Sequence, residues 1–516
     1  MEKPIDGPRP GDVNPGDSHF GDGTRDLVEE ASWESFPASD TPEFAGGWTP
    51  RPLGYREEKD SIGSIVVPSD RYWGAQTERA RRNFPIGTQR APEELIRAFG
   101  LQKKAAALAN LELGALPAEL ADAIVAAAEE VAAGRLSEHF PLLVWQSGSG
   151  TQTHMNVNEV IAHRANVLLG YPLGTPGPVH PNDHVNLGQS TNDTFPTALH
   201  LAAVREISAS LLPALNRLHG ALLVRAEAFD DVVKLGRTHL QDAVPMTVGQ
   251  EFSGWAQQVQ NSAARVEASL DRLYELPQGG TAVGTGLNAP PGFREAFARH
   301  VSALTGKPFR PATNPFEAIS ARDAVVEASA ALAVVAGSLM KIANDVRLLV
   351  SGPRGGLAEL RIPENEPGSS IMPGKVNPSQ AEALVMIGAQ ILGNHAAITA
   401  GGLFSQLQLN TCQPLLAANL LQSIRLLADA VESFTARCVT GLTPDRERVG
   451  AQVEGSLMLV TALTPLVGYE MAARIAQKAH RENKSLRAAA LELGLAAKDL
   501  DRVLRPEKMV GEFARR

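Results

Sequence analysis

The sequence predicts a mainly α-helical protein. Alanine, leucine and valine abound in a hydrophobic content of 44%, while aromatics are only 5%, the composition of close-packed helices. Five long segments repeat apolar residues at helical spacing, and helix start and stop signals bracket the shorter ones. At 516 residues the chain exceeds the roughly 250–300 residues that one core serves, so two or three structural units are expected.

Residues 1–55 come first, rich in Gly, Pro, Asp and Ser and without apolar periodicity. They offer too little apolar surface to offset the entropy of ordering and are read as a disordered acidic extension. This segment lacks the basic start and apolar stretch of a signal peptide and the arginine-rich, acid-poor character of a transit peptide. Its first 50 residues hold eleven acids against three bases, most of the net charge of −9. The remainder is near neutral, and no basic stripe points to nucleic acid.

Residues 56–189 predict a mixed, mainly helical N-terminal domain. An extended piece, SIGSIVVPSD, precedes PEELIRAFGLQKKAAALANLELG and LPAELADAIVAAAEEVAAG. Both of these place Pro near the start, acids in the first turn and Gly past the end, which is helix punctuation. Residues 190–447 form a central domain carrying the long segments, at about 193–229, 246–276, 317–351, 378–400 and 411–441. Runs near 30 residues span roughly 45 Å of helix. They are apolar on more than one face, so the economical arrangement is a bundle that buries further faces in an oligomer. Residues 448–516, with short helices such as SLRAAALELG, predict a small C-terminal domain.

No window reaches the roughly 18 uninterrupted apolar residues of a membrane span. The best candidate, Ala328 to Met340, is closed by Glu327 and Lys341 and is read as a buried helix, with no membrane partner. Cys412 and Cys438 give neither a disulfide framework nor zinc spacing, so a reducing, cytoplasmic location is expected.

Four polar islands interrupt the apolar framework: SGSGTQTHMNVNE (147–159), HPNDHVNLGQSTND (180–193), GRTHLQD (236–242) and GSSIMPGKVNPSQAE (368–382). Each is expected at or near a helix end. Taken singly, each has an ordinary explanation. Ser190 to Asp193 are N-capping residue types, Asn377-Pro378 reads as an N-cap followed by a first helical residue, His239 as a satisfied core histidine, and Lys375 as a solvated charge. Jointly they offer more. Converging helix N-termini make an anion site without a metal, to which Ser149, Thr151, Ser190, Thr191, Asn192, Thr238 and Asn377 add neutral donors and Lys375 a full charge. The ligand that fits is a small dicarboxylate. No HExxH, GxGxxG or GxxxxGK[ST] is present, so neither metal nor nucleotide cofactor is expected. Gly148-Ser149-Gly150 lacks the strand and turn of a lipase-type nucleophile.

The loop GSSIMPGKVNP resembles the signature of the fumarase/aspartase superfamily, whose members add or eliminate a group across a carbon–carbon bond next to a carboxylate. The likeness runs in order over residues 57–516, through WGAQT, WQSGSGTQ, HPNDHVN, QSTNDTFPTA, GRTHLQDA, GGTAVGTGLN, KIANDVR and EGSLMLVTAL. Within the superfamily the chain is similar to the class II, metal-independent fumarases. His239 stands where aspartases usually carry Gln, and Gly374 where they tend to show Ala. Ser190-Thr191, in place of two serines, and AVPMT lean the other way, so aspartate ammonia-lyase is the alternative. A catalytically silent scaffold, as in lens crystallins, is a third reading, but such a chain should have lost Ser369, His239, Lys375 or Glu382, and all four stand.

The resemblance implies a three-domain fold with a central five-helix bundle, a homotetramer with a twenty-helix core, and active sites built from three subunits. It implies Ser369 as the base taking the C3 proton of malate, and His239 as the group protonating the leaving hydroxide through a water, oriented by Glu382. Lys375 and Asn377 would hold the carboxylate on which charge develops. Ser149, Gly150, Thr151, Ser190, Thr191, Asn192, Thr238, Ser370 and Val376 complete the implied substrate contacts. The family's second dicarboxylate site would fall on His180, Pro181, Asn182 and Asp183. Its usual arginine, three residues before this segment, is here Gly177, so that site is expected to be weakened or lost.

Overall fold

A computed structural model describes residues 54–511. The acidic extension expected over residues 1–55 lies almost wholly outside them. The described chain begins with a hairpin of β1 (Tyr55–Asp60) and β2 (Gly63–Pro68), so the extended piece expected from SIGSIVVPSD is the second strand of a pair. Helices α1 (Ala75–Asn83), α2 (Glu93–Glu112), α3 (Ala118–Ala132) and α4 (Thr151–Leu168) follow. As their punctuation predicts, α2 and α3 start after Pro92 and Pro117 and end before Gly114 and Gly134, both in the left-handed region.

Five long helical segments then pack along one another. The first is α5 (Thr191–Glu206) continued through a π-turn, Ile207–Leu211, into α6 (Leu212–Ala228). The sequence predicts this stretch as one unbroken helix. The turn sits where Pro213 cannot donate to the preceding turn, so the ladder widens there without breaking. A hairpin of β3 (Val233–Thr238) and β4 (Gln241–Thr247) leads into α7 (Val248–Leu273), capped by Thr247 and Gln250 in a reciprocal box.

After α8 (Phe293–Thr305) comes α9 (Asp323–Leu349). The segment expected from 317 is divided, because a short turn, Pro315–Ser320, ends before α9 begins. The buried Arg322 guanidinium donates to the carbonyls of Ala318 (2.6 Å) and Ile319 (2.8 Å). It satisfies the last carbonyls of that turn, so the chain can break there without orphaned acceptors. Helices α10 (Ser379–Leu403) and α11 (Gln413–Arg437) complete the bundle, α10 lying between α9 and α11.

The shared core runs through Phe99, Phe195, Phe252, Trp255, Leu332 and Ile424. A separate smaller core, around Leu459, Leu463, Ile475 and Leu500, holds the short C-terminal helices and takes Leu235 from β3. The catalytic-loop candidate and the bundle ends are therefore carried on rigid helices, with β3–β4 braced against the C-terminal helices.

Three helical stretches, Thr191–Ala228, Asp323–Leu349 and Ser379–Leu403, are long and apolar enough to cross a membrane, although the absence of any uninterrupted apolar run predicts no span. On α9 and α10 much of this apolar surface is open, with Val334, Leu348, Met386 and Leu392 all exposed.

Candidate active site

The loop before α10 is closed at its neck by two backbone-directed contacts. Gly368 N–H donates to Lys375 O at 2.8 Å, and Asn377 Nδ2 donates to Gly368 O at 2.6 Å. A Cβ on Gly368 would come within 2.6 Å of Lys375 O, so glycine is required for this closure. The contact also corrects the capping expectation for Asn377. Its amide is spent on the loop neck, and α10 begins at Ser379 without a side-chain cap.

Within the loop, Ser369 Oγ accepts from the N–H groups of Ile371 (3.2 Å) and Met372 (3.1 Å). Ser369 and Val376 are half-buried, Ser370 and Lys375 exposed. Glu382 lies exposed in the first turn of α10.

The second group sits where α4 and α5 begin. Gly150 has φ 77°, and a Cβ there would meet the Phe195 ring at 2.3 Å. That close fit sets the start of α4 against α5. Hydroxyls of Ser147, Ser149 and Thr151 form a chain with spacings of 2.9 and 2.8 Å. Ser190 caps α5 in a box with Asp193, as its sequence predicts: Ser190 Oγ accepts from Asn192 N–H at 3.2 Å and Asp193 accepts from Ser190 N–H at 3.0 Å. Asp193 also accepts from Gly279 and Thr281 N–H, both at 2.9 Å. Burial raises its carboxyl to about 6 against these donors. Asn192 Nδ2 donates to Ala282 O at 2.8 Å, which ties this corner to the 279–282 turn.

Thr238 and His239 do not lie at a helix end. They belong to the β3–β4 hairpin, in which Thr238 pairs with Gln241 and His239-Leu240 form the turn. Both turn residues have positive φ, 56° and 62°, as a two-residue hairpin turn demands, here without the Gly or Asn that usually relieves it. His239 is exposed, which overturns the core-histidine reading. The strand behind it is pinned: Lys234 Nζ lies 2.7 Å from Glu251 and 3.0 Å from the buried Glu359, and Arg237 pairs with the same Glu359.

The structure thus brings the 149–151 and 190–192 groups together within one chain. Among the described residues no hydrogen bond joins either of them to Ser369, Lys375, Glu382 or His239.

In the 180–183 segment His180 Nδ1 accepts from Asn182 and Asp183 N–H and caps the turn Pro181–Val185. A Cβ on Gly177 would lie 2.4 Å from Asn166 Cγ, so the arginine of the related second site has no space at this position.

Sequence reasoning missed a polar cluster under the α4–α5 corner: the buried Gln102, Lys103, His154, Asn158 and Gln278 with the half-buried Gln189. A signal for it was present. Gln102 and Lys103 fall on the same helical stripe as Leu95, Phe99 and Ala106, where a core-facing apolar residue is expected.

Comparison with known proteins accords with this architecture. A family described as lyase matches residues 63–393, and one described as fumarase C C-terminus matches residues 459–511. The chain is 57% identical over 460 residues to "Fumarate hydratase, mitochondrial" of Danio rerio, covering 89% of this chain and 90% of that one. It is equally 57% identical over 455 residues to "Fumarate hydratase class II 2" of Bradyrhizobium diazoefficiens, covering 88% and 96%. Among solved structures, recombinant class II fumarase from Schistosoma mansoni superposes with a TM-score of 0.87 at 44% identity, covering 88% and 99%. A long-helix framework with a serine-bearing loop and paired helix N-termini defines a lyase of the fumarase/aspartase superfamily. Within that superfamily the chain belongs to the class II fumarate hydratases, hydro-lyases that interconvert fumarate and L-malate.

Proposed function

We propose that hydration of fumarate to L-malate runs here through Ser369 as the carbon base and His239 as the group serving water. The observation that carries it is the pair of N–H donors aimed at Ser369 Oγ. A serine hydroxyl is a poor base in water, and two backbone donors favour its alkoxide. Removing the C3 proton of malate sends charge into the adjacent carboxylate, giving an aci-carboxylate dianion. Donors placed around that carboxylate stabilise the transition state more than the ground state. Lys375 and Asn377 are assigned there. Ser149, Thr151, Ser190, Thr191, Asn192 and Thr238 bind the rest of the substrate, and Glu382 orients the His239 imidazole.

Because no hydrogen bond joins these groups among the described residues of one chain, the site is proposed to form between subunits of a homotetramer, with three chains contributing. The exposed apolar faces of α9 and α10 supply the contact surface. The unpaired thiols of Cys412 and Cys438 fit a reducing, cytoplasmic setting.

The test is absorbance of fumarate formed from L-malate and from L-aspartate by the purified chain. Turnover of malate alone is expected, and release of fumarate only from aspartate would overturn the reading in favour of the ammonia-lyase. His239→Asn is expected to lower kcat by about 100-fold, the lower end for loss of a general acid–base group. Its thermal midpoint should stay close to the parent's, because the exposed turn buries nothing. An unfolded product would remove His239 from the mechanism and return it to a structural role.

A further inference from the structure

His154, in the second turn of α4, is the side chain that links the two substrate-facing groups from behind. Its ring is buried, with Nδ1 2.7 Å from Thr191 Oγ1 and Nε2 2.7 Å from Lys103 Nζ. Lys103 has two further neighbours, Asn186 Oδ1 at 3.1 Å and Gln189 Oε1 at 2.9 Å. The direction of both amides is set by their other bonds: Asn186 Nδ2 donates to Gln189 O, and Gln189 Nε2 donates to the carbonyls of Val185 and Leu187. Their oxygens therefore face Lys103. With His154 Nε2 as the third acceptor, the neighbours of Nζ match the three protons of an ammonium.

Burial pulls Lys103 well below its ordinary range, and the charge of Asp193 opposes that pull. Burial and the Lys103 charge together hold His154 well below the usual histidine range, so the ring is neutral. A neutral imidazole carries one N–H. Lys103 Nζ and the Asn158 amide nitrogen both face Nε2, at 2.7 and 3.4 Å. With Nε2 facing these two nitrogens, Nδ1 is the ring atom placed to carry the proton toward Thr191 Oγ1. Among the described residues no other polar group bonds the Thr191 hydroxyl, so its own proton is left for whatever lies in front of it.

We infer that Lys103 and His154 are positioning residues that fix the Thr191 hydroxyl as a hydrogen-bond donor to a substrate carboxylate. The chain runs Lys103 N–H to His154 Nε2, His154 Nδ1–H to Thr191 Oγ1, and Thr191 O–H to the carboxylate. Every link donates toward the ligand, so a lysine that never enters the site still makes it more favourable for an anion. The inference rests on the assignment of Thr191 as a substrate contact.

The test uses the full-length enzyme, reading KM for L-malate and competitive inhibition by succinate, a dicarboxylate with nothing to eliminate. His154→Leu and Lys103→Met are expected to raise both constants together by about ten-fold, the worth of one charge-assisted hydrogen bond, with a smaller change in kcat. An asparagine amide sits at the Nδ1 position and a glutamine amide at the Nε2 position. His154→Asn is therefore expected to recover most of the lost affinity, and His154→Gln to behave like the leucine variant. Unchanged constants in the Leu and Gln variants would overturn the inference. So would equal losses in all four variants accompanied by a lowered thermal midpoint, which marks a merely structural cluster. Neutron diffraction from the unaltered protein gives a readout independent of turnover: a deuteron on His154 Nδ1 supports the relay, and one on Nε2 overturns it. If malate is not turned over at all, the proposed reaction fails while the deuteron position still decides the relay.

Discussion

Ser369→Ala is expected to lower kcat for L-malate by about 1,000-fold or more while the assembly and its thermal midpoint remain near those of the parent. The size follows from the role, since positioned general acid–base groups contribute about 100- to 10,000-fold. The specificity follows from the loop. Among the described residues Ser369 Oγ is bonded only to the N–H groups of Ile371 and Met372, both in an exposed segment. Water replaces the lost acceptor there, so the stability cost is small. The neck of the loop depends on Gly368, Lys375 O and Asn377, none of which the substitution touches. KM is expected to change little, because the carboxylate-holding groups remain. Near-normal kcat would remove Ser369 from the chemistry, and a collapsed assembly would assign it to folding instead.

The parts of this site that were legible in the sequence are those decided locally. Ser190 and Asp193 satisfy the α5 N-terminus within four residues, so residue type alone marks this stretch as a cap. Asn377 shows the limit of the same rule. Its side chain had a choice between the start of α10 and a carbonyl nine residues back, and the loop closure won. The hairpin at His239 was hidden because His-Leu carries none of the usual turn residues, and both are held at positive φ by the ladder around them. That ladder is itself pinned by Glu251 in the helix that follows it and by Glu359, which is far from it in sequence. The long helices were legible from their periodicity. The widened turn at Pro213 and the break at Arg322 depend on backbone carbonyls that periodicity does not register. Roles for Ser369, His239 and Glu382 came from family resemblance rather than from spacing, since each has an ordinary explanation taken alone.

Co-assembly of two inactive variants is expected to restore activity, and this is the largest effect the architecture implies. Take Ser369→Ala, which spoils the loop, and Asn192→Ala, which spoils the corner where α4 and α5 begin. Among the described residues of a single chain no hydrogen bond links the loop to that corner. If each working site takes its loop from one subunit and its corner from another, a mixed assembly contains some sites in which both contributions are intact. Random mixing of equal amounts gives an intact pairing in about one site in four, because each of two independent subunit choices succeeds half the time in a symmetric assembly. Activity should therefore rise from near zero in either variant alone to about a quarter of the parent's after joint unfolding and refolding. The separately refolded variants, mixed afterwards, should stay inactive as long as subunits do not exchange. A site contained within one chain predicts no recovery at any mixing ratio, since every chain then carries a defect in its own site. Recovery that peaks at equal proportions and falls when either variant is in excess separates shared sites from contamination by active enzyme, which scales with only one of the two.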